Sequence, residues 1–483
     1  MKFLPMDERY IGYFSDESRL CGRDAEITFP ENTQELQGIL ISAAESGKKV
    51  RFQGARTGLC GGAVPNGEAV INLERMNEIS PIIERGGAFC LRAQAGATMA
   101  EIEKLARARG MFFPAAPTEK SATIGGVFAA GGAGPTALCY GVPSSNVARM
   151  TWLTKAGALW EIARGGSVFA ENECQLPDGR VLKIPHKTAS PVAAFPRPCE
   201  GCDLIDFLAG SEGTLGVAAE LEFALRPFPR EIWGIVLFFT DKTAEVAYIE
   251  ALRKWRGENA KILLCAEYFD TVSLGLLTKW REKNARLKGL SPFPQNAVSA
   301  IYVELAADDP EWLEDALNDQ LDLFAAVGGN EEDTWAESGY SAIEDLRDMR
   351  HALPEIIALE TGYDGTESSR VRCETDFAAA PEKVLEYIEM YASNAQKAGV
   401  ECAVYGHVLQ NHLHAALLYK SEEQFQCAQE LVDKWAQRVV DDSGFLVSAN
   451  GEGRLKTELL ERYRSEQECE NIRYLQEFFS ECG

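Results

Sequence analysis

Apolar and polar positions change period several times within the first 75 residues. Ala25 to Phe29 reads as a strand closed by Pro30. Asn32 then starts a helix, with Glu35 three residues on as its capping-box partner. Leu36, Ile39, Leu40 and Ala43 fall on one face of it, and Gly47 ends it. Lys48 to Phe52 returns to a strand, a glycine-rich loop follows, and Ala69 to Leu73 gives a further strand. This β-α-β start carries a loop where a ligand can sit. Thr98 and Glu101 make a second capping box, for a helix running to Gly110. Pro114 to Pro143 is rich in Gly, Ala and Pro with little helical periodicity, which inside a compact domain implies that it wraps something. Val217, Ala219, Leu221, Phe223 and Leu225 alternate with Ala218, Glu220 and Glu222, a half-buried strand.

The RPFPR run from Arg226 to Arg230 ends that strand and marks a domain boundary. Beyond it, strand-like runs (Trp233 to Phe239, Val298 to Leu305) alternate with amphipathic helices (Ala244 to Trp255, Pro310 to Val327). An antiparallel sheet with helices on one side is expected there. Cys402 to Tyr405 reads as a strand, a histidine-rich turn follows, and another strand ends at Leu418. Ser421 and Gln424 cap a helix whose buried stripe is Phe425, Ala428, Leu431, Val432, Trp435 and Val439, closed by Gly444.

At 483 residues, 46% apolar and 25% charged, the chain has a globular profile and is too long for one core. Its apolar runs are broken within about ten residues, short of the roughly twenty that a bilayer span requires. The start MKFLPMDERY has no apolar core or cleavage site after its Lys, so no export signal is read and a cytoplasmic location is expected. A net charge of −25 argues against nucleic acid and means that an anionic ligand needs a local basic site. Thirteen irregularly spread cysteines do not suggest a disulfide framework. Cys199 and Cys202 form a CxxC with no second pair, so a flexible loop with two free thiols is preferred over a metal or redox site.

The loop Gln53 to Gly62 (QGARTGLCGG) directly follows a strand. Glycines permit positive φ and close backbone approach, so successive N–H groups can converge on an anion. It is neither a Walker A loop nor a dinucleotide GxGxxG. From the residues alone, a phosphate cradle and an irregular turn are equal readings. Three more stretches decide: PTEKSATIGGVFAAGGAGP (Pro117 to Pro135), Tyr140-Gly141, and Gly210-Ser211-Glu212-Gly213-Thr214-Leu215-Gly216. With Val64-Pro65 and Asn72 to Asn77, their order and spacing resemble the FAD-binding domain of the vanillyl-alcohol oxidase/p-cresol methylhydroxylase superfamily.

The resemblance implies an α+β protein. A two-subdomain FAD-binding domain would occupy 1–229, a substrate or cap domain with an antiparallel sheet 230–400, and a C-terminal segment with a helical part 401–483, packing back near the flavin. FAD would be held noncovalently, its diphosphate by Gly54, Ala55, Arg56, Thr57, Gly58, Leu59, Cys60, Gly61 and Gly62. Pro117, Thr118, Ser121, Ala122, Thr123, Gly125 and Gly126 would line the isoalloxazine and ribityl chain; Glu212, Gly213, Thr214, Leu215 and Val217 would lie by the adenine. Each glycine also suits a plain tight turn, and Ser211 and Thr214 a capping role. Arg56 stands where a small residue is usual, and either contacts phosphate or points outward. Histidyl linkage in the first loop is excluded, since no His precedes His186.

Tyr405-Gly406-His407-Val408-Leu409-Gln410-Asn411-His412-Leu413-His414 resembles the metal motif of the D-lactate dehydrogenase, D-2-hydroxyglutarate dehydrogenase and glycolate oxidase branch. That implies a divalent metal such as zinc on His407 and His414. Three of the five histidines fall within eight residues, and His412 and His414 share a strand face. The plain alternative is a histidine-lined core turn. The implied reaction removes a hydride and a proton from a small anionic 2-hydroxy acid of the D-lactate, glycolate or D-2-hydroxyglutarate class. The hydride goes to the flavin, and electrons pass onward to an electron-transfer protein or a quinone. Metal would polarise the substrate, a base would take the proton, and an arginine would clamp the carboxylate. Arg350 is the first candidate, with Arg370 or Arg372 behind it; a helix-surface salt bridge is the plain use of each. A homodimer or larger complex is compatible with all this.

Two departures from the branch lie at the reactive end. Where it reads Ser-Ala-Glu-His-Gly-x-Gly, this chain reads Ser448-Ala449-Asn450-Gly451-Glu452-Gly453 before Arg454-Leu455-Lys456. The branch's glutamate ligand and adjacent histidine base are not both present. Glu452 is the candidate replacement ligand, Asn450 a weaker one, and His412 the nearest substitute for the base. The sequence also stops at Gly483, where relatives continue into an Asp-Pro and Asn-Pro-Gly tail. Two other readings therefore stand beside the first: oxidation of a sugar or other alcohol, and a flavin-binding subunit with little turnover of its own. No dinucleotide fingerprint points to NAD.

Overall fold

The computed structural model describes residues 3–23, 25–186, 200–364, 366 and 368–481. Cys199 of the CxxC lies outside the described residues, and the described cysteines are free thiols. Contacts divide the chain into two compact units, one built from Met1–Gly134, Gly141–Phe228 and Val447–Gly483, the other from Pro135–Tyr140 and Pro229–Leu446.

In the first unit, strands Glu26–Thr28 and Val50–Gln53 both pair in parallel with Ala69–Asn72, and Leu4–Pro5 adds an antiparallel edge. Helix Thr33–Glu45 begins where Asn32 accepts the Glu35 N–H, while the Glu35 carboxylate takes the Glu31 N–H instead of closing the box on Asn32. Helix Met99–Arg107 has the complete Thr98/Glu101 capping box. A six-stranded antiparallel sheet is centred on Gly216–Pro227, with Ala88–Gln94 and Val147–Thr154 on either side.

Strand Gly216–Pro227 is more buried than its alternation predicts. Val217 and Ala219 pack with Leu36 and Ile71, whereas Ala218, Leu221 and Phe223 pack with Trp152 and Phe207, so both faces of the strand are covered. Pro114 to Pro143 also contains more helix than its periodicity suggests. Ile124–Ala130 is helical, started by Thr123, whose Oγ1 accepts the Gly126 N–H, and held by burial of Ile124, Val127 and Phe128.

The second unit is a seven-stranded antiparallel sheet in the order Thr334–Ser338, Glu231–Phe239, Ser299–Ala307, Leu263–Asp270, Glu401–His407, His412–Leu418, Phe377–Ala378. Helices on one side only were expected, and this is corrected by the packing. Phe239 meets Tyr248 and Phe324 from helices Lys242–Asn259 and Pro310–Ala326, while Val236 and Phe238 join the core that holds Leu346, Met349 and Leu353 of helix Ala342–Glu360. Successive strand residues point to opposite faces, so a strand apolar at nearly every position needs a cover on each.

The C-terminal stretch read as one segment is shared out. Strands Glu401–His407 and His412–Leu418 belong to the second unit's sheet. Helix Glu466–Glu481 belongs to the first unit, where Leu475 and Phe479 enter the core beside Trp160. Among the described residues, no helix is long and apolar enough to cross a membrane.

Candidate functional sites

The glycine-rich loop of the first unit leaves strand Val50–Gln53 and runs under a tight constraint. A Cβ on Gly54 would stand 2.2 Å from Thr123 Oγ1, the atom that caps helix Ile124–Ala130. A Cβ on Gly125 would stand 2.6 Å from the Ala95 Cβ. The sequence thus brings Gly54, Thr123, Gly125 and Gly126 to one place through contacts that only missing side chains permit. Among the described residues, the backbone N–H groups of Thr57, Gly58, Leu59, Gly61 and Gly62 meet no hydrogen-bond acceptor in the protein. A glycine-rich turn with unused backbone donors fits an anionic diphosphate.

Arg56 takes positive φ, and its guanidinium lies 4.2 Å from the centre of the Tyr13 ring and 3.8 Å from Glu74. Ala55 is half-buried, and Cys60 is buried. Of the second stretch, Ala122 is buried and Ser121 is exposed, its Oγ donating to Glu119; Pro117 and Thr118 precede it in a half-buried turn. In the third, Gly213 has positive φ and abuts Phe52, Thr214 donates its hydroxyl to Ser211 O, and Leu215 and Val217 are core residues.

Glu212 has a role that the sequence did not announce. Its carboxylate accepts the N–H groups of Glu452 and Gly453 at 3.0–3.2 Å. Burial pushes the carboxyl up to about 7, against the pull of the Gly453 amide. Gly453 and Cys60 also touch: a Cβ on Gly453 would stand 2.1 Å from Cys60 O, and that oxygen accepts the Leu455 N–H. The segment that departs from the branch pattern is therefore anchored on the glycine-rich loops of its own unit. Within it, the Glu452 carboxylate is bound by the buried Arg464 guanidinium, Oε1 to Nη1 at 3.2 Å. Lys456 Nζ donates to Gly451 O at 2.7 Å.

The second unit carries the histidines. Strands Glu401–His407 and His412–Leu418 form a hairpin whose turn includes Asn411 at positive φ, braced by Arg253, which donates to Val408 O and Asn411 Oδ1. The register sets His407 opposite His412 and Tyr405 opposite His414, so the three imidazoles share one face. Gly406 makes room: a Cβ there would stand 3.1 Å from His414 Cδ2. The histidines are buried, and one ligand-capable atom from each lies within 4.8 Å of the others.

Each imidazole has one nitrogen committed. His407 Nδ1 lies 2.5 Å from Glu267 Oε1, His412 Nε2 lies 2.8 Å from Asp376 Oδ1, and His414 Nδ1 lies 3.3 Å from Thr375 O and 3.6 Å from Glu374. Such partners fix the tautomer and ring orientation of a ligating histidine. Burial drives His407 and His414 towards neutral imidazole, the form that binds metal. Burial also raises the Glu267 carboxyl, but His407 and Arg350 outweigh it and hold Glu267 below the usual range.

Arg350, on helix Ala342–Glu360, donates Nε to Glu267 Oε2 at 2.8 Å and sits 4.9 Å over the Tyr405 ring. Arg372 pairs with Glu374 at 3.4 Å, and Arg370 is exposed. The structure therefore gathers His407, His412, His414 and Arg350, with Arg372 one carboxylate away. Glu267, Glu374 and Asp376 were missed by sequence reasoning. The signal for Glu267 was a lone charge in the otherwise apolar LLCAEYF run.

Comparison with known proteins places both units. Residues 25–163 match the FAD binding domain family, and residues 235–479 match the C-terminal domain family of FAD linked oxidases. A D-lactate dehydrogenase of Archaeoglobus fulgidus is 25% identical over 449 residues, covering 91% of this chain and 86% of that protein. A D-2-hydroxyglutarate dehydrogenase of Xanthomonas citri is 25% identical over 462 residues, covering 92% and 85%. Glycolate oxidase subunit GlcD of Bacillus subtilis is 22% identical over 443 residues, covering 91% and 82%. The solved 4-ethylphenol oxidase of Gulosibacter chungangensis shares the fold with a TM-score of 0.68 at 14% identity, over all of this chain and 92% of that one.

Proposed function

This chain belongs to the FAD-linked oxidases, in the branch of D-lactate, D-2-hydroxyglutarate and glycolate oxidoreductases, and we propose that it oxidises a small 2-hydroxy acid to the 2-oxo acid with the help of a divalent metal. The observation that carries the metal-assisted reading is the buried triad of His407, His412 and His414, each oriented by an oxygen partner. Bound FAD supplies the hydride acceptor. His407 and His414 would hold a divalent cation, which would supply Lewis acidity towards the substrate hydroxyl and carboxylate.

The chain's own residues do the rest. The amides of Thr57, Gly58, Leu59, Gly61 and Gly62 would receive the FAD diphosphate, and Gly54 and Gly125 let the loops close on one another. Glu267 holds Arg350 and His407 at once, so the guanidinium presented to the substrate carboxylate and the imidazole presented to the metal keep a fixed relation. Burial strengthens both interactions by removing competing water. Electrons then pass to an acceptor outside this chain. Formation of a 2-oxo acid from one 2-hydroxy acid, coupled to reduction of an artificial dye, tests the reading. Turnover of sugars or simple alcohols in its place would favour the alternative.

A further inference from the structure

We infer that His412 is the third protein ligand of the metal, so that the site is built from three histidines of one hairpin and Glu452 is no part of it. This rests on the metal-assisted reading above. Geometry carries the inference. His412 stands directly across the strand pair from His407, and its ring centre is 5.4 Å from that of His407 and 4.6 Å from that of His414. Its Nε2 is committed to Asp376, which leaves Nδ1 as the atom it can offer, just as His407 and His414 each keep Nε2. Three buried imidazoles crowd together without hydrogen-bonding one another, each turned by its own oxygen partner; a metal ion gives the three remaining nitrogens a common acceptor of lone pairs. Glu452 is already engaged. Its carboxylate is held by the buried Arg464 guanidinium, and its N–H by Glu212.

Three neutral ligands leave the full double charge of the cation for the substrate, where a carboxylate ligand would cancel part of it. The compensating anions, Glu267, Asp376 and Glu374, stand behind the imidazoles instead of on the metal. A site of this kind suits an anionic substrate, whose carboxylate and hydroxyl can complete the coordination.

The test is metal affinity of the FAD-loaded protein, read by competition with a chromophoric chelator for zinc and by the visible absorption of cobalt. His412→Asn is expected to weaken zinc binding by roughly 100-fold or more, beyond the 10–100-fold of losing an outer partner, and to change the cobalt spectrum. Glu452→Gln is expected to leave both unchanged. Flavin content and melting temperature show whether each variant is folded, and His412→Ala is the second variant if Asn perturbs the hairpin. Wild-type affinity and cobalt spectrum in a folded His412 variant overturn the inference while leaving a metal on His407 and His414. A wild-type protein that binds neither ion overturns both readings.

Discussion

Glu267 and His407 are direct cross-strand partners, with His407 Nδ1 2.5 Å from Glu267 Oε1. The second Glu267 oxygen takes Arg350, so one buried carboxylate orders both the His407 imidazole and a guanidinium.

Glu267→Gln should therefore act on stability and on metal together. Removing one partner of a buried pair costs about 3–5 kcal/mol, and losing an outer partner lowers metal affinity about 10–100-fold. Melting curves with and without zinc check this. A variant that melts and binds zinc like the wild type would show that Glu267 orders neither group.

Arg350→Lys keeps the charge near Glu267 but loses the planar fork. The apparent Kd of the hydroxy acid in rapid-mixing flavin reduction should rise about tenfold or more, with zinc affinity little changed. The reverse pattern, unchanged substrate affinity with weakened zinc, would make Arg350 a brace for Glu267 only.

Gly54→Ala should reduce FAD retention. Its Cβ would displace Thr123 Oγ1, at 2.2 Å, and with it the cap of helix Ile124–Ala130. The lost cap alone costs about 1 kcal/mol. Flavin content per chain after gel filtration checks this, with Gly38→Ala as a control, since that exposed helical glycine has nothing within 4 Å of a Cβ.

Much of this was readable from residues alone. The caps at Asn32, Thr98 and Ser421 fixed helix starts because their signals are local, within four residues. The glycine loops were readable because bare backbone leaves a compositional trace. The histidine cluster was visible as density on one hairpin. Its supporting carboxylates were not, because Glu267 and Asp376 reach it from other strands or loops, 140 and 36 residues away from their partners. Pairing register, which no local pattern encodes across such distances, decides those contacts. The two-sided cover of the second unit's sheet was missed for a related reason: an apolar run does not say which helices will cover its two faces.

Glu212 gives a pH signature. Burial pushes its carboxyl up to about 7, against 4.5 ordinarily, so between these values the folded chain holds a proton that the unfolded chain has released. Stability from this group is full below about 4.5 and lost as pH rises to about 7, a total of about 3 kcal/mol. Glu212→Gln cannot ionise, so its unfolding free energy relative to wild type should climb through that window. A difference that stays flat with pH would place the Glu212 carboxyl in the ordinary range.

Metal-assisted oxidation of a 2-hydroxy acid can be read in one measurement: anaerobic titration of the flavin with a panel of D- and L-2-hydroxy acids, with and without a metal chelator. One acid is expected to bleach the oxidised flavin, and chelation to abolish the bleaching. A flavin that stays oxidised across the panel, or that bleaches equally after chelation, would contradict metal-assisted oxidation.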